Sequence, residues 1–377
     1  MPKIVVAIDS LKGCLTSLEA GEAAAEGVKR ACPCCEVSVL PVADGGEGML
    51  EALAGTGGGR LVHLTAHGPL MEERETCYGV SADGATAVVE MARISGLPLV
   101  PAGRRNPMQT TTLGTGEVLR DALRRGCRRV LLGLGGSATN DAGLGMLQAL
   151  GYRFLDAAGR EVGQGGQALA RVERIDASDA MPELAQTRFV AACDVQNPFY
   201  GPQGAACVFA PQKGATPAMV RELDDGLRHF ADIVRRNLGT DIATLPGAGA
   251  AGGLGGGVSA FLHAELRRGI ELVLESAGFA RRIRGADLIL TGEGKSDRQT
   301  LMGKVPAGVL AEASRQGIPV ALLAGRVEDE PSLREAGFRH VLCINPPRTP
   351  DAVALSPDYA RRRLAQTAED LVRTLFP

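Results

Sequence analysis

Tryptophan is absent and aromatic residues make up only 3% of the 377-residue chain. That is too little for the stacking platforms that hold single-stranded nucleic acids. Charge of either sign is not in excess: 41 basic and 43 acidic side chains leave a net −2 with histidine neutral. Such a balance supplies no bulk attraction for nucleic acid or an anionic membrane. No apolar run approaches the ~20 residues that span a bilayer. The opening MPKIVVAIDS reads as a strand rather than a cleavable leader, so a cytoplasmic protein is expected. The five histidines, His63, His67, His229, His263 and His340, show neither metal spacing nor a G-x-S-x-G partner, which leaves a hydrolase triad without support. Cysteine is present but disorganised, with nine scattered residues. Cys32-x-x-Cys35 has no second pair or H-x-x-x-H to complete a zinc set, and it follows a helix where a redox pair would open one. Free thiols in a reducing compartment are expected.

Apolar content of 45% and charged content of 22% are ordinary globular values, and the length suggests about two domains. Glycine is the abundant residue, 50 in all, clustered in loops. The stretch RVLLGLGGSATNDAGLGMLQAL (129–150) is central: a short buried strand, a turn of small residues, then a helix over 142–150 with Asn140 and Asp141 as N-caps. A helix N-terminus behind a glycine turn can hold a phosphate. The same turn fits G-x-G-x-x-A with Asp156 placed 18 residues beyond Ala138, so a dinucleotide site and a plain packing turn both stay open. A second glycine run, PGAGAAGGLGGG (246–257), also satisfies G-x-G-x-x-G, but TDIATL before it is a poor strand, and a glycine-rich wall or helix start fits better.

Along the chain, a strand at 4–8, a helix to about residue 30 with Glu19 placed for a capping box, and a strand at 36–42 form two βα units. Residues 63–80 and 86–91 then alternate polar and apolar, as antiparallel or mixed strands do. The βα rhythm resumes with strands at 287–290, 320–324 and 340–344. Five strands suit a flavodoxin-like sheet. The expected organisation is therefore an α/β, two-domain chain: a discontinuous flavodoxin-like parallel-sheet domain, 1–66 plus 285–377, split by an inserted α/β domain, 67–284. An active site in the interdomain cleft is expected.

Acids recur at strand ends beside glycines: Asp9, Asp44, Glu47, Asp194, Glu293 and Asp297. TGEGKSD (291–297) is no P-loop, because the glycine needed five residues before Gly294 is Ile289. Phosphoryl transfer uses a set of this kind: carboxylates for Mg²⁺, one to take a hydroxyl proton, and lysines for developing charge. Lys12, Lys213, Lys295 and Lys304 are available.

DSLKG (9–13), PVADGGEG (41–48), RNPMQTTTLGTGE (105–117), GLGGSATNDAG (133–143), ACDVQNP (192–198), PQKGAT (211–216), PGAGAAGG (246–253) and TGEGKSD run in order along the chain, and together they closely resemble the bacterial type I glycerate kinase family. The resemblance implies ATP- and Mg²⁺-dependent phosphorylation of D-glycerate to 2-phosphoglycerate. It also implies a flavodoxin-like domain split by a restriction-endonuclease-like one. On that footing Asp194 is the expected base, with Asp44 second, and Lys12 neutralises the transferring phosphoryl. Gly135, Gly136, Ser137 and Thr139 cradle phosphate. Arg105, Asn140 and Asp9 bind substrate, Arg105 through its carboxylate. Asp297 and Glu293 are metal ligands. Cys14 departs from the serine usual after K-G. The implied partner is the small acid alone, with neither nucleic acid nor membrane; a homodimer is compatible. A non-catalytic sugar-acid-binding regulator on the same scaffold is the other reading, and transfer to C3 rather than C2 also stays open.

Overall fold

The structure is a computed structural model that describes residues 1–43, 49–50 and 58–377. The chain enters with strands β1 (Lys3–Ile8) and β2 (Glu36–Val39), followed by β3 (Arg60–His67), β4 (Glu73–Val80), β5 (Thr86–Glu90) and β6 (Arg129–Gly133). β7 (Arg153–Leu155) and β8 (Arg174–Asp176) form a small antiparallel pair. Then come β9 (Arg188–Ala192), β10 (Glu265–Arg267), β11 (Leu288–Ser296), β12 (Val320–Val327) and β13 (His340–Cys343). By contacts the chain divides into two compact units. One comprises Met1–Asp44, Glu51–Thr56 and Ile270–Pro377, the other Gly45–Leu50 and Gly57–Gly269.

The first unit is built on an all-parallel sheet ordered β13-β12-β11-β1-β2. Counting only this unit's strands, that is 2-1-3-4-5, the flavodoxin-like order, with its topological switch point between β1 and β11. β1 reads KIVVAI, and Ile4 through Ile8 are at most 1% exposed. A continuous apolar run is what a parallel strand covered on both faces requires. The Ser17–Ala31 helix carries the expected capping box, Thr16 Oγ1 accepting from the Glu19 amide while the Glu19 carboxylate accepts from the Thr16 amide.

Two expectations for this unit change. The strand expected at 287–290 runs on through TGEGKS, because the eight-residue β12 pairs with β11 out to Ser296↔Val327. Cys32 and Cys35, expected as free thiols, are joined in a disulfide. The helix stops at Cys32, and the turn closed by the Cys35 amide on the Cys32 carbonyl brings the sulfurs together. Asp44 and Glu47, in PVADGGEG, lie outside the described residues.

The second unit carries a mixed sheet ordered β10-β9-β6-β5-β4-β3, antiparallel from β3 to β5 and parallel from β5 to β10. β3 pairs along its whole length with β4, from Arg60↔Val80 to His67↔Glu73. Residues 60–66 therefore belong to this sheet and not to the first unit, and residues 270–284 belong to the first. Both shift the boundaries expected at 66 and 285. The core gathers Val130, Leu132, Leu147, Phe154, Phe230 and Leu254, each at most 2% exposed. Among the described residues, no helix is long and apolar enough to cross a membrane.

Candidate active site

In the first unit, a cavity of about 850 Å³ opens on the carboxyl side of the sheet, lined from the segments that follow or end β1, β11, β12 and β13. This is the edge where open α/β sheets hold their ligands. Among the described residues, six cationic side chains line it, Lys12, Lys295, Lys304, Arg326, Arg348 and Arg363, against three acids, Asp9, Glu293 and Asp351. DSLKG and TGEGKSD, far apart in sequence, meet here because β1 and β11 are neighbours. Leu11 and Leu15 exchange backbone hydrogen bonds across a tight loop, which leaves Lys12 exposed at its tip. Asp9 is nearly buried and accepts from the Ser10 amide at 2.7 Å. Cys14 also lines the cavity; burial first, then the Glu19 carboxylate, pushes its thiol pKa up, so it stays protonated.

Glu293 and Asp297, expected as metal ligands, have their oxygens already engaged. Glu293 is 5% exposed; its Oε1 accepts from Ser296 Oγ at 3.1 Å and Thr300 Oγ1 at 2.5 Å, and its Oε2 faces Lys304 Nζ at 3.3 Å. Asp297 caps the following turn, its Oδ1 accepting from the Gln299 amide and its Oδ2 facing Lys295 Nζ at 3.5 Å. Burial alone would raise the Asp297 pKa; the Gln299 amide with Lys304 and Lys295 outweighs it, and the pKa lies below the usual value. Both carboxylates are thus paired with lysines, and among the described residues no cluster of three metal-ligating side chains exists.

In the second unit, three separate motifs converge on the turn around Thr139–Asp141. RNPMQTTTLGTGE contributes Thr110, whose hydroxyl donates to the Ala138 carbonyl, and Thr112, whose amide and hydroxyl both donate to Asp141 Oδ2 at 2.9 Å. PQKGAT contributes Lys213, 2% exposed, whose Nζ donates to Ser137 Oγ and to the Thr139 carbonyl, each at 2.7 Å. PGAGAAGG contributes Gly252, whose carbonyl accepts from the Ala142 amide; a Cβ there would fall 2.1 Å from the Thr139 oxygen, so only glycine fits. Arg105 comes in through Gly214, where a Cβ would fall 2.3 Å from the Arg105 carbonyl.

The phosphate cradle expected at Gly135, Gly136, Ser137 and Thr139 takes a different form. The helix spans only Leu144–Ala149, with Gly143 at the N-cap position. Its N-terminal amides are taken from within, those of Gly143 and Gly145 donating to Asp141. The Ala138 amide goes to the Ser95 carbonyl. With the helix end answered by a buried carboxylate of the chain itself, the turn presents side chains instead. Thr139 and Asn140, both fully buried, have side-chain polar atoms with no hydrogen-bond partner, as does Arg105 Nε. Asp194, the expected base, is exposed at the end of β9, its Oδ1 accepting from the Gly269 amide at 3.0 Å.

Lys213 is one of six lysines in the sequence, and nothing in PQKGAT announces its burial. Burial pulls its pKa down to about 7 against the opposing charge of Asp141, whose own pKa burial pushes up. Between pH 7 and 10.5 the folded chain then binds fewer protons at this site than the unfolded one, so Lys213 makes stability rise with pH across that window and adds no slope below it. Denaturant unfolding at pH 7.5, 8.5 and 9.5 should show this slope, up to about 1.4 kcal/mol per pH unit, and Lys213→Met should lack it.

The family pattern described as the glycerate kinase family matches residues 4–376. A glycerate kinase of Bacillus subtilis strain 168 is 44% identical over 379 residues, covering 99% of each chain. A glycerate 2-kinase of Escherichia coli K12 is 45% identical, covering 87% of this chain and 86% of its own. A crystal structure from Salmonella typhimurium LT2, provisionally a glycerate kinase 2, superposes with a TM-score of 0.90 at 42% identity, over 99% of this chain and 98% of that one.

Proposed function

The chain belongs to the glycerate kinase family, and on that premise we propose that it transfers the γ-phosphoryl group of ATP to the C2 hydroxyl of D-glycerate, releasing ADP and 2-phosphoglycerate. The observation that carries this reading is the cationic cavity at the switch point of a flavodoxin-ordered sheet, a site suited to a polyphosphate. The hydroxyl oxygen bonds to phosphorus as the bridging β–γ bond breaks, ADP carries away the leaving oxygen, and Asp194 takes the hydroxyl proton. Lys12 offsets charge on the transferring phosphoryl. Mg²⁺ brought with the triphosphate would neutralise phosphate charge, and Glu293 and Asp297, which now face lysines and hydroxyls, are the carboxylates that would be free to meet it on exchange of those partners. A compartment supplied with ATP, the cytoplasm, fits the reading. The name of the Escherichia coli relative favours C2 over C3. The comparisons lend the regulator reading no support.

Coupled ADP release with D-glycerate, followed by phosphorus NMR of the product, tests this. Steady turnover and a 2-phosphoglycerate signal are expected. Binding of glycerate without ADP release would overturn the reading in favour of a regulator, and a 3-phosphoglycerate signal would move the accepting oxygen.

A further inference from the structure

Among the described residues, the second unit buries more polar chemistry around Lys213 than its own fold uses. A protonated amine has three hydrogens to donate, and Lys213 has two protein acceptors, Ser137 Oγ and the Thr139 carbonyl. On the turn that Lys213 bonds, and on Arg105 packed against Gly214, the Thr139 hydroxyl, both polar atoms of the Asn140 amide and Arg105 Nε are shut off from solvent with no partner. Buried polar groups are nearly always paired in native structures, and one left unpaired costs stability. Four such atoms on three residues that share one turn and its Gly214 neighbour are not explained by packing, since a valine or leucine would fill the same space without the penalty.

The unpaired set has a chemical signature. The Thr139 O–H, the Asn140 N–H₂, the Arg105 Nε–H and the third Lys213 hydrogen are donors; Asn140 Oδ1 is the one obligate acceptor among them. Donors with one positive ammonium suit a carboxylate, which accepts only, and a lone acceptor suits a hydroxyl hydrogen next to it. Asp141 cannot play the carboxylate's part, because its oxygens are already filled by Thr112, Gly143 and Gly145. We propose that Lys213, Thr139, Asn140 and Arg105 form the binding site for the carboxylate and adjacent hydroxyl of a short 2-hydroxy acid, the phosphoryl acceptor. This rests on the kinase reading for the identity of the acid, and on the second unit's geometry for the site. It assigns Lys213 to substrate recognition and joins Thr139 and Asn140 to Arg105, in place of a phosphate cradle.

A charge consequence follows. Burial holds Lys213 largely neutral above pH 7, whereas a bound carboxylate favours the ammonium, so binding at pH 8 should draw a proton from solution.

Isothermal titration of D-glycerate into the full chain at pH 8, with a non-hydrolysable ATP analogue present, in two buffers of different ionisation enthalpy, tests the site directly. The wild type is expected to take up a proton, up to one per site. Lys213→Met should abolish the uptake and weaken binding by about 10- to 150-fold, the range for a lost hydrogen bond to a charged group. Because Lys213→Met disturbs a buried position, Thr139→Val and Asn140→Leu provide the second arm. Each removes an unpaired buried group at near-constant volume, so each should melt no lower than the wild type while binding glycerate several-fold more weakly. A purely structural role for these groups predicts the opposite pattern, lower melting with affinity intact. Wild-type affinity and proton uptake in Lys213→Met and in Thr139→Val would overturn the proposal and leave buried water as the partner of these atoms. Failure of the kinase reading looks different: no ADP release from the wild type, with carboxylate binding still sensitive to Lys213.

Discussion

Asp194→Asn should lower kcat for glycerate phosphorylation by about 10²- to 10⁴-fold, the usual contribution of a positioned proton acceptor. The change keeps the size of the side chain and the oxygen that accepts from the Gly269 amide, so the loop after β9 is expected to hold its shape. Only the capacity to take up the hydroxyl proton is lost. KM for both substrates should stay near the wild-type values, because the acid is assigned to the transition state and not to binding. Steady-state kinetics with varied glycerate and varied ATP check this. A variant with near-normal kcat would remove Asp194 from the role and pass it to Asp44, the second acid of the same expectation.

The next largest effect is expected at Lys12. Its position at the tip of the loop after β1 depends on Leu11 and Leu15, which are 5% and 3% exposed and pin the loop to the core. Truncation to alanine therefore removes a charge from the cavity without unfolding its support. If Lys12 meets charge that develops on the transferring phosphoryl, Lys12→Ala should cost about 10²- to 10³-fold in kcat, comparable to the loss of a single oxyanion donor. KM for ATP should change far less. The reverse outcome, a raised KM with kcat intact, would make Lys12 a ground-state anchor for the triphosphate. Lys295 provides an internal control, since it already faces Glu328 at 2.9 Å and Asp297 at 3.5 Å; its truncation should cost less.

Both residues were legible before any coordinates, for a physical reason. Asp194 and Lys12 each follow a short apolar run that could only be a buried strand, and a polar residue just past such a run lies at the sheet's carboxyl edge whatever the rest of the fold does. Glu293 was harder. The run that placed it looked finished at Leu290, because Gly292 and Gly294 are poor strand formers in isolation, yet β12 pairs alongside and carries the strand to Ser296. Tertiary pairing overrode local preference there, and it set Glu293 inside a strand, facing Lys304. Asp141, which looks like a helix cap in sequence, does accept the first amides of the helix, those of Gly143 and Gly145, while Thr112 from a distant segment takes up the rest of its carboxylate.

By itself, the order of residues determined the strand runs, their parallel packing in the first unit, the capping box at Thr16 and the two groups of motifs. Each of these depends on neighbours within a few positions or on the simple burial of an apolar run. What Lys213, Thr139, Asn140 and Arg105 do was decided only by the folded chain. Their shared environment is made by segments more than a hundred residues apart, and the loss of water around an amine or an amide is a property of all those segments at once.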